Sequence, residues 1–441
     1  MRGNFWRAAF VCGVSLAAGL WSVQASSGVA VSYRVLHTFC KTATCNDGAL
    51  PASALTIDAN GNLFGVTAAG GRFGGGVLYE LFPKHDGERY FKHVLKMFCD
   101  PNTNCASSGE PEAAPILDTL GNLYGTTAGA IQNNCGAVYM KSARTQLYVL
   151  HAFQGTDGCR PSVGSLVYPG SGSGQAYDGV SPLYGLTTNG GNNDDGTVYE
   201  LTPPKPGRQK WGERVIYSFC SVSDCADGIN PKGNLVMDAS GNLFGGTSDG
   251  LIFELSPNGS GGFAYHAVHV SATGESYTGL TLASDGTTLF GVASSGGGSP
   301  AAGTLFSLAP SSCGACNARQ TIYQYTLLHT FCSSGTCTDG NGPTAIVLNA
   351  QGDIFGMTAS GGANPAPPGV SATGAGTVFE YTHAGSFFTL YNFCAQASCA
   401  DGSNPIDGLT LNNGAFYGTT AFGGSTANSP AGTGVAFELQ P

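Results

Sequence analysis

The chain has 441 residues, with 28 Asp and Glu against 18 Lys and Arg and only 10% charged residues. That acidic balance leaves no basic surface to neutralise phosphates, which argues against a nucleic-acid partner. Glycine, at 68 residues, is about twice its usual share, and aperiodic glycine at this level would mean low complexity; here it is periodic.

At the start of the chain, Arg2 and Arg7 flank a short polar segment, an apolar stretch follows from Ala8 to Trp21, and Val23-Gln24-Ala25 supplies a cleavable small-residue pattern. Residues 1–25 therefore read as a secretory signal peptide, and 26–441 as one mature domain. The apolar stretch is shorter than the ~20 residues a membrane span needs, so no span is expected once the signal is removed. Cys12 follows Ala9-Phe10-Val11, which lacks the small residues of a lipoprotein signal, so lipid anchoring is not expected. Losing Cys12 leaves an even number of thiols in an exported chain, which reads as disulfides.

From residue 33 onward one unit recurs. "YRVLHTF" at 33–39 returns as "HVLKMF", "YVLHAF", "RVIYSF", "YHAVHV", "TLLHTF" and "TLYNF". Between these lie "GNLFGVT" at 61–67, "GNLYGTT" at 121–127, "SPLYGLT" at 181–187, "GNLFGGT" at 241–247, "TTLFGVA" at 287–293, "GDIFGMT" at 352–358 and "GAFYGTT" at 414–420. Each is followed by a segment such as "GVLYEL" or "GTVYEL" and preceded by a short apolar run such as "ALTID" at 54–58. Alternating apolar and polar positions rich in β-branched and aromatic residues are half-buried strands. The unit is a four-stranded antiparallel meander, and seven copies predict an all-β, seven-bladed β-propeller. The chain begins with an outer-type strand and ends with the inner three. Strand 33–39 is therefore expected to complete the C-terminal blade and close the ring, which removes exposed sheet edges.

The Asp58-Ala59-Asn60-Gly61-Asn62 stretch has hairpin chemistry, with Asp capping the turn and Gly accepting positive φ. Five outer strands end in Phe-Cys with a second cysteine soon after. They give the expected disulfides Cys40–Cys45, Cys99–Cys105, Cys220–Cys225, Cys332–Cys337 and Cys394–Cys399. A zinc site would need four ligands from two such pairs, so no metal is expected. Cys135 and Cys159 fall in loops on one face of neighbouring blades and are expected to bridge them. Cys313–Cys316 is expected as a static disulfide on the opposite face. The Asp of the recurring Asp-Gly (Asp47, Asp157, Asp227, Asp339, Asp401) reads as a turn cap.

What recurs in most blades belongs to the fold, so ligand-binding candidates are sought among the exceptions. Flanking the recurring proline are Glu110, Glu112, Arg160 and Lys232. The fifth copy has lost the proline and reads "TGESYTG", with Glu275 and Tyr277. Asp194 and Asp195 lie in a variable loop on the same face, where recognition usually resides. Glu112 and Glu275 are the acid–base candidates should the chain act on a sugar. His37, His151 and His329 share one repeated strand position and read as packing residues. No G-x-S-x-G elbow, phosphate-binding loop or H-E-x-x-H is found, and no cofactor is expected.

At the repeat residues quoted above, the chain resembles the GloVer tandem-repeat family of exported bacterial proteins, and its "D..GNLY" hairpin resembles NHL-type propellers. The resemblance implies a secreted or surface β-propeller without a defined activity. Family members often end in an envelope-sorting segment; Gln440-Pro441 ends this chain without an apolar tail, so a free periplasmic or secreted monomer is expected. Three functions follow: a non-catalytic binding scaffold for a glycan or an envelope protein, a polysaccharide lyase or hydrolase working at the channel mouth, and a structural envelope protein.

Overall fold

The computed structural model describes residues 21–24, 30–84, 90–99, 109–129, 135–144, 146–161, 164–205, 210–272, 274–311, 322–370 and 372–441. Seven antiparallel sheets follow one another around a ring, forming a seven-bladed β-propeller. Blades one to six end in the outer strands Tyr90–Met97, Leu147–Ala152, Gly212–Ser218, Phe263–Val270, Ile322–Thr330 and Phe387–Asn392. The seventh is built from Thr410–Asn412, Ala415–Thr420 and Val435–Gln440, and its outer strand is the N-terminal Ala30–Thr38. Tyr33 pairs with Leu439, Val35 with Phe437 and Thr38 with Val435, so the ring closes by the expected seam. In the third blade the inner strand shrinks to the single bridge Val167–Tyr184. Trp21–Gln24 adds a further strand outside Ala30–Thr38. It falls within the segment expected to be cleaved, and cleavage would leave Ala30–Thr38 as the outer edge.

The glycine of the "LFG" motif has a packing reason. In every blade it stands directly opposite a ring on the next strand, as Gly65 does opposite Tyr79 and Gly245 opposite Phe253. A Cβ on Gly65 would lie 2.5 Å from the Tyr79 hydroxyl, so only glycine lets the ring lie flat across the sheet. Those rings are fully buried and form the centre of each inter-blade core. Every outer strand carries a bulge at one position, between Val35 and His37 in the seventh blade. The extra residue increases the local twist and re-aims the side chains that follow it.

The bulge sets up a repeated junction on the rim. His37, His151, Tyr217, His329 and Tyr391 each bond the Asp of the following Asp-Gly loop, at 3.1, 2.8, 2.6, 3.0 and 2.7 Å. The same carboxylates take backbone N–H groups, as Asp47 does from Cys40 and Asp157 from Gln154. Asp47, Asp157, Asp227, Asp339 and Asp401 are thus loop caps that also hold the outer strand. Asp58 similarly caps its hairpin, accepting the N–H groups of Asn60 and Asn62.

Cys40–Cys45, Cys135–Cys159, Cys220–Cys225, Cys332–Cys337 and Cys394–Cys399 are bonded. Cys99 is disulfide-bonded too, while its expected partner Cys105 and the pair Cys313–Cys316 lie outside the described residues. These bonds fit an exported chain. Among the described residues no helix is long and apolar enough to cross a membrane.

Candidate functional site

The central channel is a cavity of about 1240 Å³ whose wall is made by the inner strands and by the loops that lead into them. Glu112, Arg160 and Lys232 line it together, as expected from their places beside the recurring proline. That proline explains their position. In the third and fourth blades, Pro161 and Pro231 rest on Gly136 and Gly196 of the preceding blade, where a Cβ would approach the proline Cδ to 2.8 and 2.5 Å. The interlock fixes where the chain turns inward, and Glu112, Arg160 and Lys232 beside it face the channel.

Arg160 is held most firmly. Its backbone is left-handed at φ 59°, its N–H donates to the Cys135 carbonyl at 2.9 Å, and its carbonyl accepts from Thr188 at 3.2 Å. The neighbouring Cys159 is bonded to Cys135, so a disulfide braces the arginine's backbone. Lys232 sits on the strand Pro231–Met237, paired with Gly246. Among the described residues its ammonium pairs with no carboxylate.

Asn189, Asn234 and Asp407 also line the channel, and the sequence reading did not single them out. Asn234 binds the backbone of Leu280 in the next blade through both amide atoms, at 2.8 and 3.1 Å. Asp407 spans the seam: its Oδ2 accepts the Ala54 N–H at 2.7 Å and its Oδ1 that of Gly408 at 2.8 Å. Burial pushes the Asp407 carboxyl above its ordinary range against these two bonds. The signal was available for Asp407, an unrepeated charge two residues after Pro405. At the other end of the channel a turn at Ser171–Ser173 from the third blade leans inward, with Gly172 against the Met237 carbonyl and Leu282.

The remaining candidates lie elsewhere. Glu275 is 5% exposed in the wall between the fourth and fifth blades, where it accepts from Tyr277 at 2.8 Å, Thr304 at 2.8 Å and Tyr325 at 3.3 Å. Tyr277 is fully buried. Both belong to the blade junction and not to the channel wall, because a carboxylate there supplies the acceptor that the missing Asp-Gly loop would have provided. Glu110 donates its N–H to Gly75 and accepts from Ala128, and its side chain is not part of the channel wall. Asp194 accepts the Gly190 N–H at 3.0 Å and Asp195 accepts the Asn230 N–H through its carbonyl at 2.8 Å. Their loop is tied down by Asn193, whose amide donates to the carbonyls of Phe219 and Cys220.

A family model for the Gloeobacter/Verrucomicrobia repeat matches residues 168–366 and 247–441. The chain belongs to this repeat family. No curated protein is similar to it in sequence. Among solved structures it is similar to the extracellular domain of a chain described as a hybrid two-component system from B. thetaiotaomicron, with 10% identity and TM-score 0.52. That match covers 90% of this repeat protein and 39% of the other chain, so the repeat protein spans well under half of that relative. The β-propeller domain of Swd1 from Myceliophteria thermophila matches with 11% identity, TM-score 0.50 and coverage of 92% and 99%. The periplasmic gluconolactonase of Pseudomonas aeruginosa matches with 16% identity, TM-score 0.46 and coverage of 77% and 84%. At 10% and 11% identity, the feature shared with the first two of these structures is the propeller fold.

Proposed function

We propose that this repeat protein is a non-catalytic binding propeller of the periplasm or the extracellular space that holds an acidic glycan at its channel. The observation that carries the reading is that Arg160 and Lys232, from adjacent blades of an acidic chain, share one cavity wall. Two cations beside the hydroxyl and amide groups of Thr188, Asn189 and Thr344 suit a ligand with carboxylates and many hydroxyls. A concave, rigid surface with few charges gives orientation more than raw affinity.

The hydrolase alternative is less well supported. Glycoside hydrolysis ordinarily needs two carboxylates facing the same bond. Glu275 is committed inside a blade junction and Asp407 to the seam, which leaves Glu112 on the wall. The test is a glycan array with the purified protein, read beside reducing-end and unsaturated-product assays on acidic polysaccharides. The expected result is retention of acidic glycans without turnover, weakened in Lys232→Gln. Turnover abolished by Glu112→Gln would establish the enzyme instead, and retention of no glycan would leave a structural envelope role.

A further inference from the structure

Three rim positions depart from the pattern of the other four: the first blade carries Lys92 opposite Leu81, the second Leu147 opposite Lys141, and the third a carboxylate. In four blades the residue paired with the end of the neighbouring strand is a ring: Tyr33 opposite Leu439, Tyr265 opposite Leu255, Tyr325 opposite Leu308 and Phe387 opposite Tyr381. Each stacks on the ring presented by the preceding blade: Tyr391, Tyr217, His269 and His329 respectively. The centroids are 4.2, 4.7, 4.1 and 3.9 Å apart and the planes lie within 15°. In the third blade the equivalent position, opposite Leu201, is Glu213. It faces the His151–Asp157 pair of the second blade.

A carboxylate here offers no stacking surface and meets a second carboxylate, an arrangement that is unfavourable unless a positive charge lies between them. One donor atom each from His151, Asp157 and Glu213 falls within 4.8 Å of the other two. Asp157 is already oriented: its Oδ1 takes the Gln154 N–H at 2.7 Å, which turns Oδ2 toward His151 Nε2 at 2.8 Å. Glu213 Oε1 is buried and has no hydrogen-bond partner. His151 and Asp157 remain partly open to solvent, so an ion has a path in.

We propose that His151, Asp157 and Glu213 form a divalent transition-metal site, best suited to zinc, that joins the second and third blades. An imidazole with two carboxylates selects zinc over calcium and magnesium, which favour all-oxygen shells. Three protein ligands leave a fourth tetrahedral position for water. Zinc takes the place of the proton between His151 Nε2 and Asp157, and the neutral imidazole then carries its proton on Nδ1. Gln154 holds the far side of Asp157 as an outer-shell partner.

The test uses the full mature protein, stripped with a chelator and titrated with zinc chloride by calorimetry and thermal unfolding. One zinc per chain and a rise in melting temperature are expected. Glu213→Tyr installs the ring found in four other blades, so it is expected to fold with an unchanged circular dichroism spectrum and to lose the zinc response. Glu213→Gln is expected to weaken zinc binding by at least about tenfold. Stripped protein that takes up no zinc, or a folded Glu213→Tyr variant that binds zinc as the parent does, would overturn the assignment.

Discussion

Pro51 of the first blade rests on Gly434 of the seventh, with a Cβ at Gly434 placed 2.5 Å from the proline Cδ. This contact closes the ring between residues at opposite ends of the chain, and it repeats the interlock of Pro231 with Gly196. Gly434 also has φ 91°, a conformation that side chains with a Cβ rarely adopt. Gly434→Ala is therefore expected to lower stability by about 2–3 kcal/mol. Gly74 has φ 81° with nothing within 4 Å of its would-be Cβ, so Gly74→Ala carries only the backbone cost, about 1 kcal/mol. A Cβ at Gly434 would also meet the Thr420 carbonyl, so urea unfolding of both variants separates the backbone cost from that of crowding against Thr420 and Pro51; equal losses would deny this close packing its role.

A second prediction concerns the rings opposite the motif glycines. Tyr79, Tyr139 and Tyr199 bury their hydroxyls without a partner, where four other blades carry Phe253, Phe306, Phe379 and Phe437. Tyr199→Phe is expected to stabilise the protein by about 1 kcal/mol, because an unpaired buried donor costs more than its absence. Thermal unfolding measures it, and a loss of stability would show that the hydroxyl is satisfied.

The disulfides should differ in weight. Cys135–Cys159 closes a separation of 24 residues and Cys394–Cys399 one of 5. On loop entropy, the double Ser variant of the first should cost about 3.5 kcal/mol and that of the second about 2 kcal/mol. Denaturant unfolding of the two variants under oxidising conditions gives the order.

Asp227 carries a pH signature. Burial pushes its carboxyl up, but hydrogen bonds from Tyr217 and Ser221 outweigh this and hold it below the ordinary 3.8. A carboxyl lowered in the folded state adds stability above its unfolded value, and that stability is lost as pH falls through the folded value. Asp227→Asn should therefore be clearly destabilised at neutral pH, with the difference from the parent shrinking below about pH 4. A difference that stays constant with pH would assign Asp227 a purely steric role.

The blade count, the seam and the capping aspartates were legible because each is either repeated or local in sequence. The proline-flanking rule placed Glu112, Arg160 and Lys232 in the channel, since the Gly–Pro interlock fixes the turn beside them. It failed at Glu110, which flanks Pro111 but is not part of the channel wall, and at Glu275 and Tyr277, where the loss of a motif looked like an exception with a function. The structure shows a carboxylate replacing the lost buried acceptor. Asp407 was within reach of the same rule taken one residue further. Glu213 was not: on an alternating outer strand it reads as a solvated charge, and only the stacking between neighbouring blades reveals that it occupies a ring's place.

The binding reading meets its most direct test in calorimetric titration of an acidic oligosaccharide into the parent protein and into Lys232→Glu. Lys232 makes no ion pair among the described residues, so reversing its charge should leave the fold intact. One site per chain is expected, weakened by added salt and by at least about tenfold in Lys232→Glu. Binding that is indifferent to both salt and Lys232→Glu would contradict a ligand site at the channel.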